Sequence, residues 1–420
     1  MHLIYKEKPH AILIANAIGS KLHHLIVKYA YENGIPAFAL ISEGNFRTDG
    51  TFDYWGYNTD KIIYQEFVCH WSKRTFNFLS EKIPEAKNKM VVTGATGFDP
   101  YKIYNFIKRD NFFRKHNLTK FNKVITYFGW AFGKMYNAPG LLELAIFLEG
   151  SDKEKQLAWL EKQMLIVESV LKDTIENNPD ILFLLKRHPN EKHPHLTQPD
   201  KNEMVNLAGY PNVLYIVHEN VHDLINISDL ILGFETTTAL ETWCMKSTPT
   251  ILINPETDFK RDKLYLGSHI VTNYTELQNS INEYYNTNKI EAFNTPEKIQ
   301  NRKKLIQDTI GFDDGLNHIR AGYFLGKSLE KVKADNIPDV KWTFRNWRWH
   351  YGFHFIKHFY IKKLFLKLPK FRKTVWVFDN INLKSVPELK KEYYGYLDEF
   401  HAKHKISEKI KDDKFWGEIL

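Results

Sequence analysis

Residues 181–195 read ILFLLKRHPNEKHPH, and residues 221–255 read VHDLINISDLILGFETTTALETWCMKSTPTILINP. Ile181 to Lys186 is a short apolar run that stops at Arg187-His188-Pro189-Asn190, the pattern of a buried strand closed by a turn. Val213 to Val217 and Leu230 to Phe234 repeat that pattern, and Pro249 to Ile253 supplies a fourth strand. Val221 to Ile227 fits one helical face, and Thr236 to Lys246 has helical composition. Strands alternating with helices predict a parallel, doubly wound sheet. In such sheets ligands bind where strands end and helices begin. Two polar clusters fall at those junctions: Arg187 to Glu191, and Glu235 to Thr238 with Glu241.

The second cluster has a physical use. A helix starting near Thr236 offers unpaired backbone N–H groups and a partial positive charge, which together hold a phosphate. The threonine hydroxyls add donors. The plainer alternative is that one threonine caps the helix.

Arg187-His188-Pro189 after a strand, followed by Ser228-Asp229, Glu235-Thr236-Thr237-Thr238, Glu241 and Pro249, resembles the donor motifs of GT-B glycosyltransferases that build bacterial capsule and lipopolysaccharide. The resemblance is strongest to surface carbohydrate biosynthesis proteins. It extends more loosely to capsule Kdo transferases and to teichoic-acid polymerases using CDP-glycerol, and covers residues 10–325. It implies a GT-B fold, two Rossmann-like domains facing a cleft. It implies a CMP-, CDP- or UDP-linked sugar as donor, with no cofactor and no metal. The implied donor-binding residues are Arg187, His188, Pro189, Asn190, Glu191, Glu235, Thr236, Thr237, Thr238 and Glu241. Gly129 joins them, in a Gly129-Trp130-Ala131-Phe132-Gly133 loop where glycine permits close backbone approach to a ligand.

Earlier in the chain, Ala11 to Ala15, Lys21 to Tyr31 and Ala37 to Ile41 form a βαβ unit ending in Ser42-Glu43-Gly44-Asn45. A carboxylate on a loop after a strand suits the base that glycosyl transfer needs. The resembling family carries an acidic residue in such a loop, so Glu43 is the expected catalytic residue. Lys61 to Val68 and Met90 to Gly94 read as further strands, and Lys73 to Ile83 as a helix. Asp99 before Pro100 reads as a turn former, and His70 as a packed histidine. Ser151 and Glu154 form a capping-box signature for a helix reaching Asn177. Gly311 to Gly315 opens a last helix running through Leu325, with Asp314 structural.

Composition narrows the class. A chain of 420 residues with 43% hydrophobic and 26% charged residues predicts two domains plus an extension. The expected division is residues 1–120, 121–330 and 331–420. Cys69 and Cys244 read as buried free thiols of a reducing, cytoplasmic compartment. The N-terminus lacks the apolar run of a signal peptide. His188, His193, His195 and Glu191 lack the spacing of a zinc site.

The charge is local. Net charge is +8, but residues 341–374 hold ten Lys or Arg and no Asp or Glu, leaving −2 elsewhere. Ile361, Leu364, Phe365 and Leu368 share a helical face, with Lys362, Lys363 and Lys367 off it. With Trp342, Arg345, Trp347, Arg348 and Trp349, this segment predicts docking on an anionic inner-leaflet membrane rather than nucleic acid. His350, His354 and His358 lack an acidic or thiol partner and read as interfacial.

The resulting expectation is a peripheral, metal-independent glycosyltransferase acting on a lipid-linked or glycan acceptor of a surface polymer. A nucleotide-sugar epimerase and a CDP-polyol phosphotransferase are the enzyme alternatives. A membrane-bound scaffold with a decayed site is the non-enzyme one.

Overall fold

The computed structural model describes residues 4, 9–15, 21–41, 62–130, 132, 152–188, 202–234, 236–256, 266–330 and 386–420. They form two compact units, Met1–Tyr104 with Gln307–Leu420, and Asn105–Ile306. This differs from the expected division near residues 120 and 330. Residues 307–330, expected to close the second domain, belong to the first unit together with residues 386–420.

The first unit begins with β1 (Ile12–Ile14), α1 (Lys21–Glu32), β2 (Ala37–Leu40), β3 (Phe67–His70), α2 (Lys73–Lys82), β4 (Met90–Val92) and α3 (Pro100–Ile103). The strands form one parallel sheet in the order β1-β2-β3-β4. Gly34, at φ +68°, makes the turn from α1 into β2, a conformation glycine adopts without steric cost. Ser72 and Thr75 cap α2 reciprocally. Val68, Leu79, Ile83 and Met90 fill the space between sheet and helix. The third strand lies later than Lys61 to Val68. Its ladder to β2 starts where Phe67 pairs Phe38 and runs to Cys69, so only Phe67 and Val68 of the predicted run lie in the strand, which continues through Cys69 and His70.

The second unit carries α4 (Arg109–His116), β5 (Lys123–Phe128), α5 (Lys153–Glu176), β6 (Ile181–Lys186), β7 (Val213–Ile216), α6 (Val221–Ile227), β8 (Leu230–Gly233), α7 (Thr238–Met245), β9 (Thr250–Ile253), β10 (His269–Val271) and α8 (Tyr274–Thr287). Asp152 rather than Ser151 caps α5, accepting from the backbone N–H groups of Glu154 and Lys155. The six strands are parallel, in the order β10-β9-β8-β5-β6-β7. All six residues of β6 are buried, and burying each large apolar side chain contributes about 1.5–3 kcal/mol. That two-sided burial is why β6 reads as a continuous apolar run. α9 (Pro296–Thr309) leads back to the first unit.

There the chain adds α10 (Asn317–Leu329), α11 (Val386–His404), α12 (Ile406–Lys409) and α13 (Asp413–Ile419). The Asp99 carboxylate caps α10, accepting from the backbone N–H of Asn317 at 3.2 Å and of His318 at 2.7 Å. Asp99 is thus a buried helix cap between distant segments, not only a turn former. Arg320 is buried, pairs with Asp314 and donates from Nε to the Ile419 carbonyl. Gly311, at φ +85°, passes so close to Trp71 that a Cβ would sit 2.1 Å from its carbonyl oxygen. These contacts tie residues 307–330 to the segments around Trp71 and Asp99 and to the C-terminal helix α13. Among the described residues, no helix is long and apolar enough to cross a membrane.

Candidate functional site

The second unit's strand order reverses between β5 and β8. From β5 the chain proceeds outward through β6 and β7, then crosses to β8 and proceeds outward through β9 and β10. Connections leaving opposite ways open a crevice at the carboxyl ends of those two strands. Phe128, the last residue of β5, pairs with Lys186 of β6 on one side and Gly233 of β8 on the other. The loops after residues 128, 186 and 233 therefore start at one level, each about 4.8 Å from the next.

Gly129 follows β5, Arg187 and His188 follow β6, and Thr236 to Thr238 enter α7 after β8. The expected donor residues in the described part are thus brought to one edge of one sheet, with Glu241 in the first turn of α7. Glu43, Pro189, Asn190, Glu191 and Glu235 lie outside the described residues. So do Trp342, Arg345, Trp347, Arg348, Trp349, Lys362, Lys363, Phe365, Lys367 and Leu368.

The entry to α7 is tight. A Cβ on Gly233 would stand 2.6 Å from Cγ2 of Thr236, so the threonine occupies space only glycine leaves open. The Thr236 hydroxyl accepts from the backbone N–H of Thr238 at 3.2 Å. Thr237 stands at the N-cap and makes no capping bond with its side chain. One threonine caps, as the plainer reading has it, and its neighbour does not.

The Gly129 turn rests on a buried carboxylate that the sequence did not single out. Glu203 accepts from the Tyr127 hydroxyl at Oε1, and its own carbonyl accepts from the Tyr215 hydroxyl at 2.9 Å. A Cβ on Gly129 would lie 2.9 Å from Glu203 Oε2 and 3.3 Å from the His188 nitrogen. Met204 holds a left-handed backbone at φ 60° to bring Glu203 inward. The Arg187 guanidinium lies 5.7 Å from the Tyr215 ring centre. Lys186 is buried and its Nζ donates to the Val217 carbonyl at 2.5 Å. Glu203 stands alone in a polar loop, so periodicity offered no signal for it.

Ser228 and Asp229 lie at the other end of β8, Asp229 about 13 Å from Gly233 along the strand. Asp229 accepts from the Val124 backbone N–H at 2.8 Å and pairs with Arg109 at 2.6 Å. Ser228 shares a hydrogen bond with Thr126 at 2.5 Å. Lys246 donates to the Asn226 and Ser228 carbonyls, and burial pushes its amine down to about 8. The Ser-Asp half of the motif therefore anchors strand starts, away from the carboxyl edge.

In the first unit, His70 is a packed histidine, edge-on to Phe76, and burial lowers it to about 4. Cys69 and Cys244 are buried free thiols, and burial raises Cys69 to about 11. Asp314 pairs with Arg320, the structural role expected of it. Among the described residues no group of three or more His, Cys, Asp or Glu converges as a metal site.

No known family model matches the chain, and no curated protein matches it in sequence. Some solved structures are similar to it at low identity. A Listeria monocytogenes protein assigned as a UDP-N-acetylglucosamine 2-epimerase is 14% identical, with 81% of this chain and 80% of that one covered, at TM-score 0.49. S. aureus MnaA, solved with UDP, is 15% identical over 78% and 77%, at 0.45. The wall teichoic acid polymerase TagF is 13% identical over 70% and 68%, at 0.40. Likeness at that identity concerns fold and leaves the chemistry to the site itself.

Proposed function

We propose that this chain is a metal-independent glycosyltransferase that moves a sugar from a nucleotide-linked donor to a lipid-linked or glycan acceptor of a bacterial surface polymer. The observation that carries the reading is the pairing of Phe128 with both Lys186 and Gly233. It sets the Arg187-His188 loop and the Thr236–Thr238 helix start on either side of the Gly129 turn. Under this reading the helix N-terminus and the Thr237 hydroxyl bind the donor phosphates. Arg187 supplies positive charge, and the His188 loop meets the base or ribose. Helix dipole and guanidinium provide the positive field that a metal would otherwise supply. Glu43 takes the acceptor proton, and residues 341–374 hold the enzyme at the inner face of the membrane, where lipid-linked acceptors lie.

The test is thermal stability of the full chain with CMP, CDP, UDP and GDP, since a ligand bound only to the folded state raises stability by mass action. One nucleotide is expected to raise Tm, and Thr237→Val to abolish that rise without lowering the unliganded Tm. Absence of a rise with every nucleotide rejects the reading. EDTA is expected to leave transfer unchanged.

A further inference from the structure

Residue 129 is glycine for a reason internal to the second unit. Its backbone stays outside the left-handed region, so conformation alone does not demand glycine there. Space does. A Cβ would stand 2.9 Å from Glu203 Oε2, with the Lys186 carbonyl oxygen at 3.2 Å and the His188 nitrogen at 3.3 Å. The room that a side chain would take is filled by a carboxylate from a distant loop.

Glu203 is held in that place from two strands. Tyr127 of β5 pairs with Leu185 of β6, and Leu185 with Tyr215 of β7. Both tyrosines therefore lie at one level on one face of the sheet, about 10 Å apart across the middle strand. The Tyr127 hydroxyl donates to Glu203 Oε1, and the Tyr215 hydroxyl to the Glu203 carbonyl at 2.9 Å. Glu203 is 2% exposed, and Met204 beside it keeps a left-handed backbone at φ 60°, uncommon for a residue other than glycine. Such a conformation persists where the surrounding contacts over-determine it. Glu203 thus straps β5 to β7 across β6, one residue short of where β5 and β6 end.

Hydrogen bonding continues past those strand ends. The Gly129 N–H donates to the Lys186 carbonyl at 3.0 Å, and the Arg187 N–H to the Ile216 carbonyl at 2.9 Å. The hollow lined by Tyr127, Gly129, Arg187, Glu203 and Tyr215 is too narrow to admit a water. A ligand at the carboxyl edge therefore cannot reach Glu203 through it, and any effect of the carboxylate passes through the turn it supports.

We infer that Glu203 is a positioning residue for ligand binding at this edge. Its shape and its two tyrosine bonds fix the Gly129 turn against the start of the Arg187-His188 loop. Binding groups need such support to stay within about 0.5 Å of their working geometry. The inference deepens the proposed donor site and rests on it.

The experiment reads affinity apart from stability. The dissociation constant of the nucleotide that stabilises the full chain, among CMP, CDP, UDP and GDP, is measured by calorimetric titration well below each protein's unliganded Tm. Glu203→Ala is expected to weaken binding about tenfold or more, the scale on which outer-shell partners act at metal sites. Glu203→Gln keeps the shape and an acceptor for Tyr127, and is expected to stay within about threefold of wild type. Tyr127→Phe removes only the hydroxyl bonded to Oε1 and leaves a foldable core, so it serves where Glu203→Ala does not fold. It is expected to weaken binding severalfold. A residue with a stability role alone would lower Tm and leave the affinity of the folded protein at the wild-type value. Wild-type affinity in Glu203→Ala or in Tyr127→Phe therefore overturns the inference, as does a loss in Glu203→Gln equal to that in Glu203→Ala. A wild type that binds none of the four nucleotides rejects the donor reading and this inference with it, whereas unchanged variants of a binding wild type reject the inference alone.

Discussion

Nε2 of His318 lies 2.9 Å from Nε2 of His401, and the two rings are 9° from parallel. With His318 Nδ1 donating to Asp99, His318 Nε2 is the acceptor and His401 Nε2–H the donor. The bond holds α11 to α10 while only one proton lies between the rings, and a second proton breaks it. Burial, and then His318, keep His401 below its ordinary value of 6.5, with Asp398 opposing them. A lowered histidine contributes stability above the unfolded value and loses it as pH falls. Protection of the amides across residues 386–404, taken relative to the intrinsic rate at each pH, is thus expected to fall as pH drops below 6.5. In His401→Phe it should lose that pH dependence. Protection in wild type that does not change with pH refutes the latch.

His70 predicts a second acid transition. Neither ring nitrogen has a hydrogen-bond partner among the described residues, and burial lowers it to about 4 from 6.5. The neutral ring therefore contributes fully above pH 6.5 and progressively less down to pH 4. The integrated loss is about 3 kcal/mol. Denaturant unfolding of wild type and His70→Leu at several pH values checks this, the variant being expected to show the shallower acid limb.

At the carboxyl edge of the second sheet, Gly233→Ala sets a Cβ 2.6 Å from Thr236 Cγ2. Overpacking of this kind costs about 1–3 kcal/mol. Thr236→Ser removes Cγ2 and keeps the hydroxyl that caps Thr238. The double variant is expected to recover most of the loss, a coupling that a double-mutant cycle measures. Additive costs would show that the contact at the α7 entry does not carry the effect.

Glu43→Gln keeps the side-chain shape and removes the carboxylate proposed as the base. Turnover is expected to fall about 100-fold while donor binding persists. Steady-state rates with nucleotide affinity measured in parallel decide it, and near-normal turnover moves the base elsewhere in the chain.

Deleting residues 331–420 removes α11 to α13, which bond to α10 through His401 and Ile419, so the tail is better probed by charge. Replacing Arg345, Arg348, Lys362, Lys363 and Lys367 with Gln should reduce co-sedimentation with anionic vesicles. The wild-type interaction itself should weaken as salt shortens the Debye length below about 8 Å. Equal sedimentation of both proteins on anionic vesicles rejects membrane docking.

Several elements were legible before any coordinates. β6 runs over the predicted residues Ile181–Lys186, and α6 over Val221–Ile227. Each is a local pattern: a fully buried parallel strand reads as an unbroken apolar run, and a helix repeats every 3.6 residues. β10, three residues long and half-buried, carries too little pattern to read. Nor was α11 distinguished from the basic stretch before it.

Alternation of strand and helix, together with polar turns at strand ends, thus determined two parallel α/β units and the edge where a ligand would bind. Tertiary structure alone decided which strands are neighbours. By pairing Phe128 with both Lys186 and Gly233, it gathered Arg187 and Thr236 to one edge and left Asp229 at the other. It also decided that the chain returns after Ile306 to the first unit, where Asp99 caps a helix 218 residues away. Periodicity records whether a residue faces a core, because burial selects for side-chain type position by position. Which core it faces, and which carboxylate meets a distant helix end, depends on long-range closure that leaves no periodic trace in the chain.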